Sequence, residues 1–231
     1  MPLILNIDTA TEFASVCLAK DEEILMLVSN KEQKNHASFL QPAIKKIAEE
    51  TGYTLNEIDA VAVSNGPGSY TGLRVGLSSA KGLCFALNKP LLLLNTLEIM
   101  AWGCIAEYEK NNSINDNLLF CPMIDARRMD VFAAVYTTNL HVVVAPQALK
   151  INENSFSELL NNQPIIFFGS GSGKCENILT NPNSIFSKFN HSAASMVSLS
   201  LQQYQKAAFS DLAYSEPFYL KEFYTLAKKL I

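Results

Sequence analysis

No stretch of this 231-residue chain is apolar for long enough to cross a membrane as a helix, which takes about 20 consecutive residues. The N-terminus has no basic segment and reaches Asp8 within eight residues, which argues against a secretory leader. The five cysteines (Cys17, Cys84, Cys104, Cys121 and Cys175) are scattered, odd in number and form no Cys-x-x-Cys pair. Reduced, mostly buried thiols in a cytoplasmic protein are therefore expected, not a disulfide framework. Positive charge is also scarce: 18 Lys and Arg stand against 22 Asp and Glu, a net charge of −4. An independent grip on nucleic acid normally needs a basic patch, so a partner is expected to hold most of any RNA. The three histidines, His36, His141 and His191, include no pair four apart. No helical face can thus present two of them to one metal.

What remains is ordinary for a globular protein: 48% apolar and 17% charged residues. The most informative stretch is Ser64–Gly76, where four glycines and a proline fall in thirteen residues between two apolar segments. Ile58–Ser64 before it reads as a buried strand, and Thr71–Leu87 after it as a helix. A glycine-rich turn from strand to helix sets backbone N–H groups against phosphate or against another backbone.

Around that turn the sequence predicts strands at Leu3–Asp8, Phe13–Ala19 and Glu23–Val28, then a helix His36–Thr51 capped by Asn35 and ended by Gly52. Pro42 inside that helix predicts a kink or a late start. Leu91–Leu94 reads as a strand and Thr96–Tyr108 as a helix. The polar run Glu109–Asn117 reads as a boundary between lobes 1–108 and 109–231. Strands are expected again at Leu119–Asp125, Val131–Thr137, Leu140–Ala145 and Ile165–Phe168. Short helices are expected at Ser155–Asn161 and between the turn Gly169–Gly173 and Leu179. Ala193–Phe209 reads as a longer helix and Tyr214–Ile231 as an amphipathic tail that packs back on the first lobe. Both halves open with three strands and later show strand, glycine turn and helix, which suggests a duplicated α/β unit.

Four segments carry a resemblance to a known family: Asp8-Thr9-Ala10-Thr11, Asn65–Arg74, Asp125–Ala133 and Pro217-Phe218-Tyr219-Leu220. In order along the whole chain, they are similar to the TsaB (YeaZ) family. The resemblance implies a duplicated actin-like ATPase fold of the hexokinase and Hsp70 superfamily, two lobes of mixed sheet flanked by helices. It also implies a non-catalytic partner of the threonylcarbamoyltransferase TsaD, acting with the ATPase TsaE. Together they form threonylcarbamoyladenosine beside the anticodon of tRNAs that read codons beginning with A. A homodimer is implied too, with tRNA met only indirectly.

In actin-like folds the strand-one turn cradles phosphates and Mg²⁺, and a second-half turn holds adenosine. Asp8, Thr9 and Thr11 fit the first position, and Gly169 and Gly171 the second. For this family, inherited turn geometry without a resident cofactor is the expectation, with nucleotide only at an interface shared with partners. Gly173-Lys174-Cys175 is not a phosphate-binding P-loop, since Phe168 stands where its first glycine would be and Cys175 where a hydroxyl should bind Mg²⁺. Ser69 does not sit in Gly-x-Ser-x-Gly and reads equally well as a helix cap. The cluster Asp125, Arg127, Arg128 and Asp130 fits either a solvated hairpin or a contact surface.

Small residues recur along the second predicted helix at Gly72, Gly76, Ser79 and Ala80, and the first carries Phe39, Leu40, Ala43, Ile44 and Ile47. Glycine costs about 0.8–1 kcal/mol inside a helix relative to alanine, so the stripe implies a close neighbour. That neighbour is either this chain's own sheet or a partner. In the resembling family these two helices make the self-dimer and the TsaD contact. A rival reading is an ATP-dependent small-molecule kinase of the same fold, carried by Asp8, Thr9 and the 169–173 turn.

Overall fold

The computed structural model describes residues 1–30, 35–112 and 117–221. Two five-stranded mixed sheets carry the fold. In the first, β1 (Leu3–Asp8), β2 (Ser15–Lys20) and β3 (Glu23–Ser29) run antiparallel, and β4 (Ala60–Ser64) and β5 (Leu91–Leu94) add in parallel on the other side of β1. The second repeats this order with β6 (Leu119–Asp125), β7 (Asp130–Thr137) and β8 (Val142–Lys150) antiparallel, then β9 (Ile165–Phe168) and β10 (Ser184–Phe186) parallel. The duplication is thus explicit in the topology.

Period-two alternation sorts each sheet into two packed faces. On the outer face of the first sheet, Leu5, Ile7, Val61 and Val63 pack with α1 (His36–Thr51) and α2 (Tyr70–Leu87). On its inner face, Ile4, Ala60, Ala62, Leu92 and Leu94 meet Ala193, Met196, Val197 and Leu199. The last four belong to a 3₁₀ turn, Ala193–Met196, and to α5 (Val197–Gln205). Between the sheets lies α3 (Thr96–Asn111). Ile99 and the partly buried Trp102 join the first sheet, while Leu97, Met100, Ala101 and Ile105 pack on Phe120, Ile124, Ile166 and Phe168 of the second. A helix from each half therefore covers the other half's sheet.

Several sequence readings need correction. The Ala193–Phe209 helix is instead the 3₁₀ turn and the shorter α5, which ends where Ala207 takes a left-handed backbone. After Gly169 the chain forms turns, not a helix, and only α4 (Ser157–Leu160) stands between β8 and β9. The second half thus has no counterpart of α2, and the four residues of α4 stand where the first half has the sixteen of α1. Strand β10 carries no clear pattern in its three residues and went unforeseen. The segment read as a boundary begins with the last turn of α3, which runs to Asn111. Asn35 caps α1 without a side-chain hydrogen bond, and α1 starts at His36, well before Pro42. Gly52 ends it as expected in the left-handed conformation, φ 75°. The tail from Tyr214 to Lys221 is not helical, and the rest of the amphipathic segment lies outside the described residues.

Candidate functional site

The end of β1 and the start of α2 are built as one unit. Ser69 caps α2, its hydroxyl accepting from the Gly72 N–H, and its own N–H donates to the Ala10 carbonyl at 2.7 Å. The Thr9 hydroxyl donates to the Gly72 carbonyl at 2.8 Å. A side chain at Gly68, Gly72 or Gly76 would collide with the Ala10 carbonyl, the Thr9 carbonyl and the Thr9 hydroxyl respectively. The glycines therefore admit the close approach of this chain's own Thr9–Ala10 turn.

Asp8 is fully buried at the centre. Its Oδ1 accepts from the Ser64 hydroxyl at 2.7 Å and from the Ala10 N–H at 3.0 Å. Its Oδ2 lies 3.0 Å from His191 Nε2, at ion-pair distance but not aligned as a hydrogen bond. Burial pushes the Asp8 carboxyl up, but His191, the Ala10 amide and the Ser64 hydroxyl together hold it below its usual range. His191 reaches this point because Ala193 N–H donates to Ser15 Oγ at 2.8 Å and ties the segment to β2. Thr11 is half-buried, its carbonyl 2.9 Å from His36 Nε2. Sequence reasoning missed His191 and Ser64, for no local pattern links the end of β1 to a histidine near the far end of the chain.

Gly169 and Gly171 do not meet the Asp8 turn. Both pack on the end of β6, where side chains would strike the Met123 carbonyl and the Ile124 backbone. Among the described residues no group of three or more His, Cys, Asp or Glu side chains gathers as metal ligands.

Most of the residues expected at a partner surface lie inside the first lobe. Leu40, Ala43, Ile44 and Ile47 are buried in the first lobe's own core, as are Gly72, Gly76 and Ala80. They face inward because α1 and α2 each put one stripe on the sheet. Of the candidates, Phe39 and Ser79 remain half-exposed. The outward stripe of α2 is Ser78, Gly82 and Phe85, spaced four and three residues apart, with Phe85 83% exposed. Ser78, Ser79, Gly82, Leu83 and Gln41 line a shallow groove, and nothing lies within 4 Å of where a Gly82 side chain would start.

From α5 the chain returns over α2 as a strap. Lys81 Nζ donates to the carbonyls of Ala213 and Ser215, and Phe218 N–H donates to the Asn65 carbonyl. Tyr219 packs on Tyr70 with ring centroids 5.2 Å apart, and its hydroxyl accepts from Arg74 Nε at 3.2 Å. Lys221 pairs with Asp130 in the β6–β7 hairpin. Lys174 pairs with Asp125 at 2.6 Å.

This fold and this turn define a two-lobed actin-like protein whose strand-one carboxylate is bound up inside the chain. The family model described as "TsaD: tRNA N6-adenosine threonylcarbamoyltransferase" matches residues 27–229. The chain belongs to that family, as a member of its TsaB (YeaZ) branch. The protein called tRNA threonylcarbamoyladenosine biosynthesis protein TsaB from Buchnera aphidicola (Acyrthosiphon pisum) is 33% identical over 59% of this chain and 58% of its own length. Its counterpart from Bacillus subtilis is 28% identical over 72% of this chain and 70% of its own length. The match thus spans little more than half of the first of these relatives. YeaZ from Pseudomonas aeruginosa shares the fold with a TM-score of 0.79 at 23% identity, covering 95% of this chain and 100% of that one.

Proposed function

We propose that this chain is a non-catalytic subunit in the formation of threonylcarbamoyladenosine in tRNA. It binds the transferase TsaD, acts with the ATPase TsaE, and pairs with itself when TsaD is absent. Membership of a tRNA threonylcarbamoyltransferase family gives the pathway. The observation that carries the non-catalytic reading is Asp8: its oxygens face Ser64, the Ala10 amide and His191, all of this chain. The outward stripe of α2 supports the partner role. Gly82 costs about 1 kcal/mol in a helix and has no neighbour in its own chain that needs it, and Phe85 stands exposed beside it.

The experiment is to mix the chain with TsaD from the same source and follow mass by light-scattering chromatography. A heterocomplex that replaces the self-dimer supports the reading, and Phe85→Glu should block it. No complex, with or without nucleotide, sinks it.

The kinase reading rests on the Asp8 and Gly169–Gly173 turns. Titration calorimetry with Mg-ATP separates the two readings, because sub-millimolar binding by the isolated chain favours the kinase. No described helix is long and apolar enough to cross a membrane.

A further inference from the structure

The charge of this chain is unevenly placed. Although the whole carries −4, a seam running from the first turn of α2 across the strap to the β6–β7 hairpin gathers six cations: Arg74, Arg127, Arg128, Lys150, Lys174 and Lys221. Successive contacts connect it, from Arg74 through Tyr219 to the strap, from Lys221 to Asp130, and from Asp130 to Lys150, its partner across β7 and β8. Lys174 then ties the hairpin to the second-half turn, donating to the Arg128 and Asp130 carbonyls as well as to Asp125. Three carboxylates stand among these cations: Asp125, Asp130 and Glu216, the last beside Arg74.

The pairing pattern decides what the seam can do. Asp125 and Asp130 are each taken by a lysine. Arg127 and Arg128, adjacent at the hairpin tip, are exposed, and among the described residues no acceptor holds either guanidinium. Both sit in the left-handed backbone region, φ 68° and 53°, where a side chain is disfavoured and glycine or asparagine is the usual choice. The Asp125 carboxylate accepts the Arg127 N–H at 2.7 Å and, with Lys174, fixes the tip. At the α2 end of the seam the strap carries exposed aromatic side chains: Tyr219 is 39% exposed and Phe218 41%.

We propose that this seam contacts the phosphodiester backbone of RNA. Guanidinium forks match phosphate oxygens two at a time, and exposed aromatic rings offer stacking surfaces to unpaired bases. The proposal rests on the tRNA-modification reading for its choice of RNA.

The test is binding of a labelled tRNA transcript to the full chain, alone and mixed with TsaD, between 50 and 200 mM salt. The comparison is R127Q/R128Q, which keeps side chains of similar polarity at both strained positions and whose fold is checked by its melting temperature. Expected is binding by the wild type, weakened about tenfold at low salt in the variant, with a logarithmic salt slope shallower by about 1.4–1.8, the value for two lost phosphate contacts. Absence of RNA binding in both settings, or an unchanged slope in a folded variant, overturns the proposal. Preference for polyglutamate over the transcript overturns it in favour of an acidic protein. Modification assays on the same samples separate the two readings. Modification that proceeds with no RNA contact by this chain removes the seam and leaves the subunit role. RNA contact by a chain that never supports modification removes the subunit role and leaves the seam.

Discussion

His191 Nε2 stands 3.0 Å from Asp8 Oδ2, so a side chain from the second half occupies the strand-one carboxylate of the first. Removing one partner of a buried pair leaves the other uncompensated, at a cost of roughly 3–5 kcal/mol. His191→Ala should therefore lower the unfolding free energy by about that amount in urea titrations. A loss under 1 kcal/mol would show that the contact contributes little.

The same contact sets an acid limit. Asp8 is held below its usual value of 3.8 in the folded chain. Its stabilising contribution is thus complete above that value and is lost as pH falls through the lower, folded one. In His191→Ala the carboxyl loses a neighbour that holds it down, so its contribution disappears at higher pH. Acid unfolding followed by circular dichroism should shift to higher pH in the variant, and an unchanged midpoint would refute this.

Gly76 and Gly82 lie six residues apart on α2 and should respond oppositely. Gly76→Leu drives a side chain into the Thr9 hydroxyl and should destabilise by roughly 1–3 kcal/mol or more. It therefore cannot serve as a clean probe of association. Gly82→Ala enters open space and should raise stability by about 0.8–1 kcal/mol. Thermal melts of the two variants check both signs.

All five cysteines are free and buried. Burial pushes the Cys17 and Cys104 thiols up to about 12 and Cys84 to about 11. The native chain should be nearly inert to Ellman's reagent at pH 8, with five thiols reacting in guanidinium. A thiol that reacts quickly in the folded chain would contradict this placement.

Gly103 of α3 faces Ser195 and Phe189, and a side chain there would clash with the Ser195 hydroxyl. Gly103→Val should lower the melting temperature by several degrees, as overpacking of a fixed contact does. An unchanged melt would mean that this contact yields easily.

Much of the fold was legible in the sequence because it rests on local signals. Strands β1, β4, β5 and β9 are short apolar runs bounded by turn residues, and Ser69 lies where the cap of α2 must be. The partner surface was legible only in part. An apolar stripe such as Leu40, Ala43, Ile44 and Ile47 shows that one face of a helix is covered, but not what covers it. Gly72 and Gly76 announce a close backbone, which proved to be that of Thr9 and Ala10. The tail's amphipathic pattern shows that it is covered on one side, but not that its described part is tied down by bonds to Asn65 and Lys81. His191 carries no local sign at all.

That α3 reaches the second sheet while α5 covers the first has a mechanical result. Neither half can finish its own interior: cut near residue 112, each fragment would keep a bare apolar sheet face and a helix with nothing to cover. The two coverings interlock the halves, so that neither lobe can come away from the other without baring apolar surface.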